Sequence, residues 1–150
     1  RRVPGARAPG RVSALPYQAG CVAIGGRGVL IEGPPGSGKS SLALALIDRG
    51  AKLVGDDGVL LEMRRGRLWA LPPPNITGLL EIRNVGLARM APVTAPVALV
   101  LRLDPDAPRH VEAAEQVALA ATSLPLVRLW PDTPVLSLRA EWALEMHGLP

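Results

Sequence analysis

The chain has 150 residues, of which 48% are apolar and 20% charged, and its formal net charge is +4. That length suffices for one domain with a hydrophobic core and is too short for two. No uncharged apolar run approaches the roughly 20 residues of a membrane helix, so no membrane partner is expected. The single cysteine excludes an internal disulfide and fits a reducing, cytoplasmic compartment.

Residues 1–16 are rich in Pro, Gly and Arg, and no acidic residue precedes Glu32. This composition predicts a flexible basic tail, because it offers too few apolar groups to pack. A basic tail can contact nucleic acid or an acidic protein. Aromatic residues do not alternate with these arginines as they do in base-stacking segments, so nucleic-acid binding is not expected. Residues 17–150 then form the folded domain.

The predicted elements begin with a β-hairpin whose strands cover residues 21–24 and 29–32. A helix over residues 39–49 follows, because its apolar residues form a broad face and Gly50 supplies a stop. The hydrophobic pattern next predicts three short strands, which cover residues 51–54, 59–63 and 68–71.

The second half of the chain is punctuated by prolines. Residues 97–103 are a continuous run dominated by Val and Leu, which predicts a strand buried on both faces. Only a strand over 126–130 is predicted between residues 104 and 134. A final helix is predicted from the capping segment Asp132-Thr133-Pro134 to about His147. Its candidate packing residues are Leu138, Trp142, Ala143 and Leu144.

The loop Gly33-Pro34-Pro35-Gly36-Ser37-Gly38-Lys39-Ser40 matches the pattern G-x-x-x-x-G-K-[ST] between a predicted strand and a predicted helix. Its glycines let the backbone wrap tightly, so that successive N–H groups and the helix N-terminus face phosphate oxygens. Lys39 can reach the β- and γ-phosphates, and the Ser40 hydroxyl can bind Mg²⁺. This loop, together with Ser41 in the first helical turn, predicts a site for ATP and Mg²⁺.

Two adjacent carboxylates, Asp56 and Asp57, follow the strand predicted at residues 51–54. Open α/β sheets bind ligands at the carboxyl ends of their strands. One carboxylate there can hold Mg²⁺, and the other can accept a proton from an attacking hydroxyl. Adjacent residues of an extended chain point to opposite faces, and paired aspartates also occur in plain turns. Both interpretations of this pair stay open at the level of sequence.

Glu81 and Arg83 are two residues apart, so on an extended chain both face the same side. A carboxylate for Mg²⁺ and a guanidinium for phosphoryl oxygens suit phosphoryl transfer. The spacing taken alone favours an ordinary surface ion pair on an edge strand.

In combination, the three motifs resemble the bifunctional HPr kinase/phosphorylase family, and more narrowly its short form without the N-terminal domain of the longer enzymes. The matching segments cover residues 28–41, 47–57 and 78–83. The resemblance implies an α/β P-loop domain of the type shared with phosphoenolpyruvate carboxykinase. It also implies ATP and Mg²⁺ as cofactors, a serine of the phosphocarrier protein HPr as acceptor, regulation of the phosphotransferase system, and hexameric assembly.

By position in this family, Asp57 corresponds to the general base of the kinase direction and the acid of the reverse direction. Lys39 would neutralise developing charge, and Asp56 would help to position the metal. Glu81 matches a second metal-binding carboxylate, and Arg83 lies in the segment tied to the phosphorylase direction.

Two positions depart from the family's pattern. Gln18 stands where the family has a histidine that tunes protonation of the catalytic aspartate, and Asn84 stands where a glycine is usual. These departures are consistent with a weakened or kinase-only enzyme. Two further hypotheses are a generic P-loop kinase or NTPase acting on small molecules, and an ATP-binding regulatory module without catalysis.

Overall fold

The computed structural model describes residues 14–75 and 77–150. Residues 1–13 of the predicted tail lie outside the described residues. Leu15 and Pro16, which the prediction assigned to the tail, belong instead to the first strand. The strands are β1 (Leu15–Tyr17), β2 (Gly20–Ile24), β3 (Arg27–Glu32), β4 (Lys52–Gly55), β5 (Val59–Arg64), β6 (Arg67–Leu71), β7 (Leu79–Ile82), β8 (Gly86–Arg89), β9 (Ala95–Leu103), β10 (Glu115–Leu119) and β11 (Thr122–Leu129), and the helices are α1 (Lys39–Asp48) and α2 (Leu136–His147).

Strand β9 is the centre of the large sheet, because it pairs with three other strands. It runs parallel to β3 and β11 and antiparallel to β6. Beyond β3 the sheet continues through β2 to β4, and beyond β6 it continues through β5 to β1. Strands β7 and β8 form a separate antiparallel hairpin. The predicted α/β class is confirmed, in the form of a large curled sheet with few helices.

Two apolar clusters cover the two faces of the central strands. On one face, alternate residues such as Ile31 and Leu101 pack against α1 and α2. On the other face, Leu30 and Val100 pack against residues of β5, β6 and β11. The prediction of a strand buried on both faces is confirmed, since every residue from 97 to 101 is at most 1% exposed.

The predicted hairpin appears as β2 and β3, and the helix and three strands that follow it appear as α1, β4, β5 and β6. The strand predicted at residues 126–130 is longer than expected, because β11 begins at Thr122. Its partner β10 was not predicted. The turn between them consists of Ala120 and Ala121, which adopt left-handed φ values of 50° and 64° without the Gly or Asn that usually signals such a turn.

Helix α2 differs from the predicted helix in two details. It begins at Leu136 after Val135 and has no side-chain cap, so Asp132 and Thr133 do not cap it; Thr133 Oγ1 instead accepts a 3.3 Å hydrogen bond from Val135 N–H. Leu138 and Trp142 are also 40% and 64% exposed, because the helical repeat places them away from the buried face. The expected packing residues Ala143 and Leu144 are buried. No helix within residues 14–75 and 77–150 is long and apolar enough to span a membrane.

Candidate active site

The glycine loop and the aspartate pair meet at one edge of the sheet. Both β3 and β4 run antiparallel to β2, so they point in the same direction and end at the same edge. The loop follows β3, and Asp56 and Asp57 follow β4. A cleft of about 500 Å³ opens there. It is lined by Pro35, Gly36, Gly38, Lys39, Ser40, Ser41, Leu44, Asp56, Asp57, Glu81, Ile82 and Arg83.

Within the loop, glycine is required for two different reasons. Gly36 and Gly38 have φ values of 79° and 101°, in the left-handed region that other residues rarely adopt. Gly33 is instead required by space, because a Cβ there would lie 2.5 Å from Ser37 Oγ. Three predicted phosphate-binding residues, Gly33, Pro34 and Ser37, do not line the cleft.

Lys39 folds back over its own loop. Its Nζ donates to the carbonyl oxygens of Gly33 at 2.8 Å and Pro34 at 3.0 Å. These bonds hold the ammonium group against the first two residues of the loop, beside the cleft that Lys39 lines. An ammonium group has three protons to donate, so it can exchange carbonyl partners for phosphate oxygens without being moved far.

Asp56 is the link between the loop helix and the β7–β8 hairpin. Its Oδ1 accepts a 2.7 Å hydrogen bond from Ser40 Oγ, and its Oδ2 accepts a 3.1 Å bond from the backbone N–H of Glu81. The half-buried Asp56 is therefore fixed between two of the three predicted motifs. Asp57, the next residue, is exposed and faces the cleft.

Glu81 and Arg83 lie on the β7–β8 hairpin and both line the cleft. The surface ion pair that their spacing favours is not formed, since neither residue takes part in an ion pair among the described residues. Asn84, in the turn, has a φ of 69°. It therefore adopts the left-handed backbone that the usual family glycine would adopt freely.

The oxygen donors of the cleft fit Mg²⁺. The Ser40 hydroxyl and the Asp56 carboxylate are hard ligands that already lie within hydrogen-bond distance of each other. The described part of the chain contains no cluster of three or more His, Cys, Asp or Glu side chains able to hold a metal ion. That arrangement is compatible with Mg²⁺, which keeps several waters and binds through one or two carboxylates together with substrate phosphates.

A polar network that the sequence pattern does not reveal lies next to the loop, around the residue that precedes Gly33. Glu32, the last residue of β3, accepts hydrogen bonds from Arg102 Nη2 at 2.7 Å, from Arg102 Nε at 3.1 Å, and from the Tyr17 hydroxyl. Burial raises the pKa of Tyr17 to about 12, and the hydrogen bond to Glu32 and its negative charge add to the effect. The sequence gives little indication of this network, because Glu32 and Arg102 become neighbours only when β3 and β9 pair.

Gln18 is exposed and does not line the cleft. It follows Tyr17 and leads into β2, whose first residue Gly20 lies against the aspartate segment. A Cβ on Gly20 would meet the backbone oxygen of Asp56 at 2.9 Å. The chain near Gln18 therefore approaches the backbone of the aspartate pair.

A family model described as the HPr Serine kinase C-terminal domain matches residues 14–93, a segment that contains every predicted site residue. The chain belongs to this family. Its relatives include an HPr kinase/phosphorylase of Streptococcus thermophilus, which is 49% identical over 67 residues. An HPr kinase/phosphorylase of Clostridium tetani is 44% identical over 66 residues. Each alignment covers 44% of this chain and 22% of the relative, so the chain matches about a fifth of the length of these curated relatives.

The solved structure of an HPr(Ser) kinase/phosphatase from Coxiella burnetii supports the same assignment over most of the chain. It superposes with a TM-score of 0.73 at 25% sequence identity and covers 85% of this chain and 86% of the other. The resemblance inferred from the three motifs and the expected P-loop domain type are thus confirmed. The roles of the individual site residues stay predictions.

Proposed function

We propose that this chain is an ATP-dependent protein serine kinase whose acceptor is HPr, and that it regulates the phosphotransferase system. The observation that carries the proposal is the single cleft in which the glycine loop, the Ser40–Asp56 pair and the exposed Asp57 converge. Membership of the HPr Serine kinase C-terminal domain family supports HPr as the acceptor. The proposal includes a cytoplasmic location, which the single cysteine also fits.

In this proposal, the glycine loop and Lys39 bind the triphosphate of ATP. The backbone N–H groups of the loop point at phosphate oxygens, and Lys39 exchanges the carbonyls of Gly33 and Pro34 for them. Ser40 and Asp56, with Glu81 as a further carboxylate, would hold Mg²⁺, which neutralises phosphate charge and orients the γ-phosphoryl group. Most of the rate enhancement is positional and electrostatic.

Asp57 acts as the general base. It takes the proton of the acceptor serine hydroxyl as the serine oxygen forms a bond to the γ-phosphorus. The bond from that phosphorus to the β,γ-bridging oxygen breaks, ADP leaves, and Lys39 stabilises the charge that develops. The exposure of Asp57 suits a macromolecular acceptor, because a serine carried on a protein surface has to reach it.

The reverse, phosphorylase direction is expected to be weaker than the kinase direction. Gln18 is a neutral amide, so it cannot exchange a proton with Asp57 as a histidine can. Arg83, which lines the cleft, would contact phosphoryl oxygens in either direction. Assembly into a hexamer, which the resemblance implies, stays a prediction.

A regulatory ATP-binding module is the second candidate function, and Gln18 at the family's histidine position is the observation that favours it. Such a module binds ATP in the loop and transfers no phosphate. A generic P-loop NTPase would, in contrast, release ADP without any acceptor, and a small-molecule kinase would release ADP only with its own small-molecule acceptor.

The release of ADP in three reactions separates the HPr kinase from the NTPase and from the regulatory module. The first reaction contains the protein with Mg²⁺ and ATP, the second adds HPr, and the third adds HPr whose target serine is replaced by alanine. We expect ADP at an appreciable rate only in the second reaction. Equal ADP release in all three would support an NTPase, and nucleotide binding without ADP release would support the regulatory module.

A further inference from the structure

Two strongly exposed apolar side chains lie on the β7–β8 hairpin. Val85 is 79% exposed and Leu87 is 70% exposed, the highest values among the large apolar residues that the structure describes. Single exposed apolar residues are common on protein surfaces, but these two are only two positions apart on one short hairpin. The same hairpin also carries Glu81 and Arg83, which line the cleft.

The strand register places Leu87 on the same face of the hairpin as Glu81. Leu87 is paired with Glu81, and directly paired residues of antiparallel strands project to the same face. Glu81 lines the cleft, and Leu87 lies beside Glu81 on the same face of the hairpin without lining the cleft itself. The alternate pair, Leu80 and Ala88, takes the opposite face, where Leu80 is fully buried in the core.

The hairpin is tied to the aspartate segment through β7 and is closed at its own base. Glu81 N–H donates to Asp56 Oδ2, and Met90 N–H donates to the carbonyl of Gly78 at 2.7 Å. Gly78 has a φ of 77°, and a Cβ there would overlap the Met90 carbonyl oxygen. Because the hairpin is held in this way, its exposed face is presented in a defined position relative to Asp56 and Asp57.

We propose that Val85 and Leu87 dock the acceptor protein by contacting apolar side chains that flank its serine. This inference rests on the proposed function. A serine hydroxyl that reaches Asp57 has to enter the cleft that Asp57 shares with Glu81 and Arg83. The chain that carries this serine therefore lies against the adjoining hairpin face.

Two arginines border this face of the hairpin. Arg89 is paired with Leu79, so it projects to the same side as Leu87, and Arg83 lies at the cleft. An apolar centre bordered by exposed charged groups is the usual composition of a protein–protein contact. In the proposed function, the glycine loop and Lys39 bind ATP. The hairpin face is therefore free to bind the acceptor.

The test compares the double variant Val85→Ser/Leu87→Ser with the control Leu138→Ser/Met146→Ser, which alters exposed apolar residues of α2 that do not line the cleft. Steady-state transfer to HPr and direct titration of HPr are measured for both. For the hairpin variant we expect the KM and Kd for HPr to rise about tenfold or more. Its KM for ATP and its kcat should stay within about twofold of wild type, and the control should match wild type throughout.

Three results would overturn the docking proposal while leaving the proposed function intact. The first is an unchanged KM for HPr in the hairpin variant. The second is a rise in its KM for ATP without a rise in its KM for HPr. The third is altered self-association, measured by sedimentation, with no change in HPr binding. If wild-type protein transfers no phosphate to HPr and does not bind it, the proposed function fails and the docking surface fails with it.

Discussion

Ser40 Oγ donates a 2.7 Å hydrogen bond to Asp56 Oδ1, and this contact joins the first turn of α1 to the end of β4. The two residues are 16 positions apart, and both are predicted ligands of Mg²⁺. The same carboxylate accepts the backbone N–H of Glu81, so it also fixes the start of the third motif. In the proposed kinase the metal-binding oxygens are thus assembled by the fold itself.

Replacing Asp56 by Asn tests its role as a metal ligand. The amide oxygen can still accept the Ser40 hydroxyl, but the negative charge is lost. We expect the affinity for Mg²⁺-ATP to fall by about 10- to 100-fold while the affinity for ATP in EDTA changes little. Calorimetric titration measures both affinities, with the exposed Asp106→Asn as matched control. Equal losses with and without Mg²⁺ would contradict a metal role.

Lys39 is predicted to neutralise the negative charge that develops in the transition state, because its ammonium group is held against the start of the glycine loop by the carbonyls of Gly33 and Pro34. We expect Lys39→Ala to lower kcat by about 10²- to 10³-fold. The matched control is Lys52→Ala on β4, whose side chain is exposed and outside the cleft. A Lys39→Ala protein with near-normal turnover would remove this residue from the mechanism.

Tyr17 offers a direct spectroscopic test of the network next to the loop, because it is the single tyrosine of the chain. Its pKa is raised from 10.0 to about 12 by burial, the hydrogen bond to Glu32 and the charge of Glu32. Ultraviolet titration should show this shift. Because the folded pKa is the higher one, the stabilisation is fully present below pH 10 and is lost as the pH rises towards about 12.

The Glu32→Gln variant should lower the pKa of Tyr17 but leave it above 10, since burial is the largest cause and persists. Glu62→Gln is the control, because Glu62 pairs with Arg64 elsewhere on the sheet. A Tyr17 that titrates at its ordinary pKa in the wild-type protein would contradict the network.

Cys21 is expected to be inert to thiol reagents in the native protein. It is the single cysteine and is 0% exposed, and burial raises the pKa of its thiol to about 12. A colorimetric disulfide reagent at pH 8 should react with one thiol in denaturant and react slowly without it. Rapid reaction under native conditions would contradict the position of β2 in the core.

Features set by adjacent residues could be predicted from the sequence. The glycine loop, α1 and the hairpin of β2 and β3 depend on short stretches of apolar residues and on glycines at fixed positions. The position of Asp56 and Asp57 directly after a strand could be predicted in the same way, from the short apolar stretch that precedes them. The contact of Asp56 with Ser40 could be expected only because open α/β sheets bind ligands at the carboxyl ends of their strands.

Features set by distant residues could not be predicted. The contact between Glu32 and Arg102 depends on the pairing of β3 with β9, and the two residues are 70 positions apart. The turn at Ala120 and Ala121 carries no residue that normally signals left-handed backbone, so β10 was missed. For Trp142 the helix itself was predicted, but which of its faces packs depends on the strands beneath it.

Transfer of the γ-phosphate of labelled ATP to the target serine of HPr is the most direct test of the central claim. We predict that the wild-type protein labels HPr, that a serine-to-alanine HPr stays unlabelled, and that Asp57→Asn slows labelling by about 10²- to 10⁴-fold while it still binds Mg²⁺-ATP. Labelling of HPr at near-normal rate by Asp57→Asn would contradict the proposed base. The absence of any HPr labelling by a wild-type protein that binds Mg²⁺-ATP would contradict the kinase assignment.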